Sequence, residues 1–128
     1  MASVFIKALQ PLCTRRLSFS AVKWKIFDVA SAGQFKSDVL DSKGLVIVDF
    51  HAEWCGPCKD LGPVLESVAT QESVDLAKVN IDSFTELSME YGVSAVPTVV
   101  AISNGKVVDQ FVGGQNKDFV KNFIKKQL

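Results

Sequence analysis

Residues 45–65 read LVIVDFHAEWCGPCKDLGPVL, and they join a strongly apolar segment directly to a helical pattern. The first six form a continuous run rich in β-branched side chains, which is typical of a central strand covered on both faces. Apolar residues then recur at the i, i+3, i+4 and i+7 spacing of an amphipathic helix, at Leu61, Val64, Leu65 and Val68. Pro63 lies within this helix and predicts a kink, because proline removes one backbone donor. We therefore expect a buried strand, a short loop with two cysteines and a long helix.

Strand and helix patterns alternate on both sides of this unit. Asn104-Gly105 is a strong hairpin signal, and Gly92 is placed to end a short helix. The other predicted elements are strands at 24–29, 75–81, 96–102 and 106–113 and helices at 33–41, 84–91 and 116–127. Helices separate the first strands and a hairpin joins the last two, so parallel and antiparallel pairings are both expected. The sequence predicts an α/β fold of three layers (α/β/α), with a mixed central sheet of about five strands and helices on both faces.

The composition excludes several classes of protein. The chain has 128 residues, of which 48% are hydrophobic, and this suits one folded domain better than a disordered chain. The 14 basic and 14 acidic residues give zero formal charge, whereas nucleic-acid-binding proteins usually carry a basic excess. No apolar run approaches the roughly 18 residues of a membrane-spanning helix. We expect no nucleic acid and no membrane as partner, and we expect a monomer.

The zero net charge is the sum of two unlike parts. Residues 1–27 carry five basic side chains and no acidic one, whereas residues 28–128 carry 9 basic and 14 acidic side chains, a net charge of −5. Phe5, Leu9 and Leu12 lie at helical spacing in this basic leader. A cationic amphipathic segment that contains serine and lacks acidic residues is typical of an organelle transit peptide.

The leader fits a mitochondrial address better than a secretory one. A lysine and a proline interrupt its apolar run, and a secretory signal needs about 7–15 uninterrupted apolar residues. The sequence RRLS at 15–18 resembles a mitochondrial cleavage pattern. We therefore predict a transit peptide at about 1–20, which would remove Cys13, a folded domain at 21–128 and a location in the mitochondrial matrix. The alternative is a basic tail without an addressing role.

Two cysteines two residues apart lie where the central strand passes into the long helix. If Cys55 occupies the helix N-terminus, free backbone N–H groups and the helix dipole stabilise its thiolate, which is the nucleophilic form. Cys58 follows one helical turn later, within reach of the Cys55 sulfur. Pro57 costs little in a first helical turn and stiffens it. This pair can cycle between dithiol and disulfide by thiol–disulfide exchange.

Three other interpretations of the cysteines are weaker. A glycine-proline insert at a strand–helix junction is a poor motif for two cysteines that merely fill the core. A zinc site needs about four ligands, and His51 and Cys13 are the only further soft candidates. A purely structural disulfide across so short a loop would stabilise the fold little. Redox cycling is therefore the favoured function of the pair.

These motifs resemble the thioredoxin family, and with the basic leader the chain resembles its mitochondrial members. The resemblance covers residues 24–128 and rests on VDFHAEWCGPCKDLGPVL at 48–65, AVPT at 95–98 and NGKVV at 104–108. It implies a thioredoxin-like fold and a protein-disulfide reductase that maintains mitochondrial redox homeostasis. It also implies that Cys55 is the attacking nucleophile and that Cys58 is the resolving thiol.

The resemblance assigns two charged residues and one proline near the pair. Asp49 matches the buried aspartate that exchanges a proton with the second cysteine, and a desolvated carboxyl group would indeed have a raised pKa. Lys78 matches the buried lysine that accompanies this aspartate. The alternatives are an ordinary aspartate at a strand end and a solvated strand lysine. Pro97 matches the family's cis-proline beside the disulfide.

The resemblance further implies a surface for docking target proteins. Val96 and Thr98 would offer backbone groups to an extended segment of the target, as in β-strand addition. An exposed tryptophan beside a reactive thiol suits a protein-binding patch. The remaining predicted docking residues are Trp54, Gly56, Pro57, Gly92, Val93 and Gly113.

One position departs from the family pattern. His51 stands where many members carry an aromatic residue, most often tryptophan. A titratable imidazole there could shift the thiol pKa values and add pH dependence. The alternative, which we favour, is a packed and neutral histidine that supports the loop.

The implied partners are an NADPH-dependent flavoprotein thioredoxin reductase and disulfide-containing client proteins such as peroxiredoxins. The chain contains neither a GxGxxG motif nor a Walker-type loop, so we expect the nucleotide on the reductase and no cofactor or metal on this chain. A disulfide-forming or isomerising enzyme is the enzymatic rival, but it needs a secretory signal and an oxidising compartment. A binding subunit with a redox switch is the non-enzymatic rival.

Overall fold

The computed structural model describes residues 24–128, and the proposed transit peptide therefore lies outside the described residues. The elements alternate in the predicted order. They are β1 (Ile26–Asp28), α1 (Ala32–Phe35, continued by a π-helical turn at Lys36–Leu40), β2 (Leu45–His51), α2 (Gly56–Glu72), β3 (Asp75–Asn80), α3 (Thr85–Glu90), β4 (Thr98–Ser103), β5 (Lys106–Val112) and α4 (Lys117–Lys125).

The strands form one mixed sheet in the order β1-β3-β2-β4-β5, with β2 at its centre. β1 and β2 both pair with β3 in parallel, whereas β4 pairs antiparallel with β2 and with β5. The register places Asp49 of β2 between Lys78 of β3 and Val99 of β4. The predicted five-stranded mixed sheet is confirmed.

Two apolar clusters cover the two faces of the sheet. On one face, α2 and α4 pack against Ile47 and Leu76, and on the other Phe35 and Val39 pack against Val48 and Phe50. This burial explains why β2 has no alternating polar pattern, since a strand covered on both faces needs apolar side chains on both. The three-layer architecture is confirmed.

The long helix begins where the cysteine motif predicts. Cys55 is its N-cap and Pro57 lies in its first turn, where the missing N–H of proline has no helical partner to lose. The helix continues past Pro63 and ends at Ser73, whose φ of 57° is left-handed. The kink that the sequence predicts at Pro63 stays a prediction.

The hairpin turn predicted at Asn104-Gly105 and the helix end predicted at Gly92 are both confirmed. Asn104 and Gly105 have φ values of 52° and 80°, the two positive angles that a tight type I′ hairpin turn requires. Gly92, with φ of 68°, follows the C-cap Tyr91 of α3. Within residues 24–128, no helix is long and apolar enough to cross a membrane.

The observed strand and helix ends differ from the predicted ones for local reasons. β1 begins at Ile26 instead of residue 24, because the backbone N–H of Lys25 donates to the Asp75 carboxylate at 2.8 Å rather than to a strand. β4 begins at Thr98 instead of residue 96, since Pro97 has no N–H to donate to the ladder. The first helix ends in a π turn, closed by a hydrogen bond of 2.8 Å from Asp41 N–H to Lys36 O.

Candidate active site

The cysteine pair lies at the junction of β2 and α2 and is closed as a disulfide. The Cα atoms of Cys55 and Cys58 are 5.4 Å apart. Cys55 caps the helix, and its sulfur accepts a hydrogen bond of 3.2 Å from the Cys58 N–H. When the disulfide is reduced, this N–H and the positive end of the helix dipole both favour a negative charge on the Cys55 sulfur. The geometry therefore distinguishes the two cysteines.

Both cysteines are largely covered by apolar neighbours. Cys55 is 4% exposed and Cys58 7%, and they pack against Ala52, Ile81 and Val96. Sequence reasoning missed Ile81. A signal for it existed, because Ile81 directly follows β3 at the edge of the sheet where β2 also ends, and ligands of open α/β sheets bind at that edge.

Trp54 stands beside the pair as a large exposed apolar surface. Its side chain is 68% exposed, and its indole N–H donates to the Asp82 carboxylate at 2.9 Å. The sequence predicted Trp54 as a docking residue but not Asp82, which lies 28 positions later. The hydrogen bond holds the indole ring in place, while most of the ring surface stays exposed to solvent.

The loop before β4 brings a second segment of predicted docking residues to the cysteines, since Val96 packs against them. The Val96–Pro97 peptide bond is cis, as the resemblance implies. Gly113 donates its N–H to Pro97 O at 2.8 Å, so the end of β5 lies against this loop. Within residues 24–128, neither backbone polar group of Val96 has a hydrogen-bond partner. Thr98, in contrast, is buried in the ladder, and its hydroxyl donates to Ala95 O at 2.6 Å.

The remaining predicted docking residues divide into two groups. Gly56 and Pro57 are exposed in the first turn of α2, directly between the cysteines. Gly92 follows the end of α3, and Val93 packs against the core cluster on the α1 face of the sheet. Neither Gly92 nor Val93 is among the side chains that pack against the cysteines, so their docking role stays a prediction.

Asp49 is a buried carboxyl group near the pair. It is 3% exposed, and its Oδ1 has no hydrogen-bond partner within the described part of the chain. Burial raises the pKa of Asp49 to about 7, the Lys78 charge opposes this shift and the Glu66 charge adds to it. A carboxyl group in this range can accept and return a proton near neutral pH.

A cleft of about 350 Å³ joins Asp49 to Cys58. Cys55 does not line it. The lining residues are Asp28, Asp49, His51, Ala52, Glu53, Cys58, Lys59, Gly62, Pro63, Glu66 and Lys78. Asp49 therefore shares its cleft with Cys58 and not with Cys55, and its role as the proton acceptor of the second cysteine stays a prediction.

Lys78 lines this cleft, but its ammonium group pairs with the Glu66 carboxylate. Sequence reasoning predicted Lys78 and missed Glu66. Cys58, Gly62 and Glu66 are spaced by four residues, which places them on one face of a helix, and this spacing was the available signal.

His51 also lies in the cleft and is half-buried. Burial lowers the pKa of its imidazole, and the Asp28 carboxylate partly opposes that shift. The neutral form is therefore favoured near pH 7, in agreement with the interpretation of a packed histidine. Within residues 24–128, no group of three His, Cys, Asp or Glu residues is arranged to hold a metal ion.

Comparison with known proteins places this geometry in a family. Residues 26–126 match the family model described as Thioredoxin. The chain belongs to the thioredoxin family. Members of this family are protein-disulfide oxidoreductases that exchange disulfides with target proteins and with a thioredoxin reductase. Cys55 and Cys58 are the dithiol–disulfide couple of this thioredoxin-family chain.

Several relatives are mitochondrial thioredoxins. The chain is 47% identical over 122 residues to mitochondrial thioredoxin of Mus musculus, an alignment that covers 94% of this chain and 74% of the relative. It is 52% identical over 104 residues to that of Rattus norvegicus, covering 80% of this chain and 63% of the relative. The chain thus spans less than two thirds of the length of the rat protein.

Solved thioredoxin structures share the fold. A variant thioredoxin from Halobacterium salinarum is 35% identical, with a TM-score of 0.75 over 80% of this chain and 90% of that chain. Thioredoxin of Malassezia sympodialis is 32% identical, with a TM-score of 0.70 over 82% of this chain and 90% of that chain. The thioredoxin-like fold expected from the sequence is confirmed.

Proposed function

We propose that this thioredoxin-family chain is a general protein-disulfide reductase of the mitochondrial matrix. The observation that carries the proposal is the asymmetry of the cysteine pair. Cys55 caps the N-terminus of α2, and Cys58 lines the cleft of the buried Asp49. These positions support Cys55 as the attacking sulfur and Cys58 as the thiol that loses a proton and resolves.

The first half of the reaction is an attack on the target disulfide. The Cys55 thiolate forms a bond to one target sulfur, the target disulfide bond breaks, and the other target sulfur leaves as a thiolate that takes up a proton. The Cys58 N–H and the helix dipole keep a thiolate fraction on Cys55 near neutral pH.

The second half releases the target. Cys58 transfers its thiol proton to Asp49 and attacks the Cys55 sulfur, so the intramolecular disulfide forms and the mixed disulfide breaks. The second target sulfur leaves as a thiolate. In total, two electrons pass from the cysteine pair to the target. The raised pKa of Asp49, about 7, suits it to take this proton.

Docking positions the target disulfide against Cys55. The exposed indole of Trp54 offers an apolar anchor, and the free backbone groups of Val96 are available to an extended segment of the target. Gly113 donates its N–H to Pro97 O, and nothing lies within 4 Å of the position that a Cβ would take there, so the surface beside Pro97 is uncrowded. Recognition mainly through backbone groups suits a reductase with many clients.

The two electrons are restored by an NADPH-dependent flavoprotein thioredoxin reductase, which carries the nucleotide that this chain has no motif to bind. Peroxiredoxins, whose catalytic cycle forms disulfides, are the proposed clients. The mitochondrial relatives and the basic leader, residues 1–27, support the matrix as the location.

A coupled assay tests the reductase function. A chain that begins at residue 21 should reduce insulin disulfides with NADPH and a thioredoxin reductase, and Cys55→Ser should abolish turnover because no attacking sulfur remains. Cys58→Ser should instead accumulate mixed disulfides with clients in a matrix extract. A wild-type chain without turnover, or a Cys55→Ser variant with full turnover, would contradict the proposal and favour a binding subunit.

A further inference from the structure

Three acidic residues lie around Lys78, namely Asp28, Asp49 and Glu66, and its ammonium group forms an ion pair with Glu66. The sheet register places it directly between Asp28 of β1 and Asp49 of β2, and residues paired in this way point to the same face of a sheet. Its ammonium group nevertheless reaches across to Glu66 on α2. Asp49 is left without a hydrogen bond to its Oδ1 within the described residues.

Lys78 and Glu66 are more exposed to solvent than Asp49. All three residues line the same cleft. Asp49 is 3% exposed, whereas the side chains of Lys78 and Glu66 are 22% and 43% exposed.

We propose that Glu66 is a positioning residue that holds the Lys78 ammonium group away from Asp49 and thereby sets how readily Asp49 takes the Cys58 proton. This inference rests on the reductase function proposed above. Glu66 would act on Asp49 through its ion pair with Lys78 and through its own charge in the shared cleft.

The electrostatics of the cleft fix the sign of the effect. The negative charge of Glu66 itself raises the pKa of Asp49, and the positive charge of Lys78 lowers it. If Glu66 becomes neutral, its repulsion of a charged Asp49 is lost and Lys78 is free to approach Asp49. Both changes favour the charged carboxylate. The neighbour of Asp49 on β4 is the apolar Val99. The other titratable side chains that line the cleft of the oxidised protein are unchanged by the substitution: Asp28, His51, Glu53 and Lys59.

The decisive experiment is a direct titration of the Asp49 carboxyl group in the oxidised protein, by infrared or carbon-13 NMR spectroscopy. Glu66→Gln should lower the midpoint by roughly 0.5 to 1 pH unit. Glu72→Gln is the matched control, since it lies on the same helix but does not line the cleft, and it should leave the midpoint in place. A midpoint that stays or rises in Glu66→Gln overturns the inference.

Two further measurements separate positioning from a merely structural role. Glu66→Asp keeps the charge but shortens the reach, so it should lower the midpoint less than Glu66→Gln; an equal or larger shift counts against the role of the charge. The rate at which the target is released from the Cys55 mixed disulfide should fall at pH values below the Asp49 midpoint. In each variant this fall in rate should move together with the midpoint. Because the titration needs no substrate, its result stands even if the reductase assay fails.

Discussion

Asp49 lies in a buried environment that disfavours the ionised form of its carboxyl group. The residue lies in the central strand between the paired residues Lys78 and Val99. Burial is the largest cause of its raised pKa, and the nearby ammonium group only partly offsets that cost. A carboxyl group that is buried in this way destabilises the fold whenever it is ionised.

The first prediction concerns stability as a function of pH. The pKa of Asp49 is about 7 in the folded protein, well above the 3.8 of an unperturbed aspartate, so the folded state binds more protons than the unfolded state between pH 4 and 7. Stability therefore falls as the pH rises through this window. Asp49→Asn cannot ionise and should be more stable than wild type by up to roughly 4 kcal/mol at pH 8, with a much smaller gain at pH 4.

Urea denaturation of the oxidised proteins at both pH values measures this difference. Asp60→Asn, the same substitution at an exposed position of α2, should have the same effect at both pH values. If Asp49→Asn gains no more at pH 8 than at pH 4, the buried carboxyl group is not the source of the pH dependence.

At the residue scale, the cysteine motif could be predicted from its own segment, and the family resemblance supplied Asp49, Lys78 and Pro97 from other segments. Cys55, Cys58 and their spacing needed only helix geometry. Ile81, Asp82 and Glu66 reach the site through the pairing of β2 with β3 and the packing of α2 on the sheet. Contacts of this kind depend on register, which a periodic pattern in one segment does not specify.

At the scale of elements, the hairpin between β4 and β5 is held by its turn. Asn104 and Gly105 both have positive φ values. A Cβ added at Gly105 would lie 2.9 Å from the backbone oxygen of Leu40, closer than real Cβ atoms approach. Gly105 is therefore required both by its backbone conformation and by the close approach of the end of the first helix.

The second prediction follows from this close approach. Gly105→Ala should lower the free energy of unfolding by roughly 1 to 3 kcal/mol, because it combines a strained φ with a backbone clash. Thermal unfolding of the oxidised protein measures the loss. Gly44→Ala is the control, since nothing lies within 4 Å of an added Cβ there and its φ is not in the left-handed region, and it should change the melting temperature little. Equal melting temperatures for both variants would contradict the structural role of Gly105.

The element boundaries show where periodicity stops being informative. Residues 96–102 have one unbroken apolar pattern, but the ladder begins only at Thr98, since the preceding proline has no N–H and its peptide bond is cis. The first helix likewise changes to a π turn at Lys36 while its apolar residues remain in place. Side-chain patterns predict which face is buried, whereas backbone hydrogen bonds set where an element ends.

At the scale of the whole molecule, the mixed sheet explains why the site assembles at one edge. The cysteines follow the C-terminal end of β2. β4 runs antiparallel to β2 and so begins at that same edge, where Pro97 lies. β5 runs antiparallel to β4 and therefore ends there, which brings Gly113 to Pro97. The predicted element order already implied this meeting, but the strand order within the sheet had to come from the structure.

The last prediction concerns the asymmetry of charge along the chain. Residues 1–20 carry three basic and no acidic side chains, so their removal changes the net charge from zero to −3. Import into isolated mitochondria should yield a protease-protected form that is shorter by about 20 residues and has a lower isoelectric point. Replacing both Arg15 and Arg16 by alanine should impair trimming, because the cationic cleavage pattern is lost. A protected chain with its N-terminus intact and its isoelectric point unchanged would refute the transit peptide, and N-terminal sequencing of that form decides between the two outcomes.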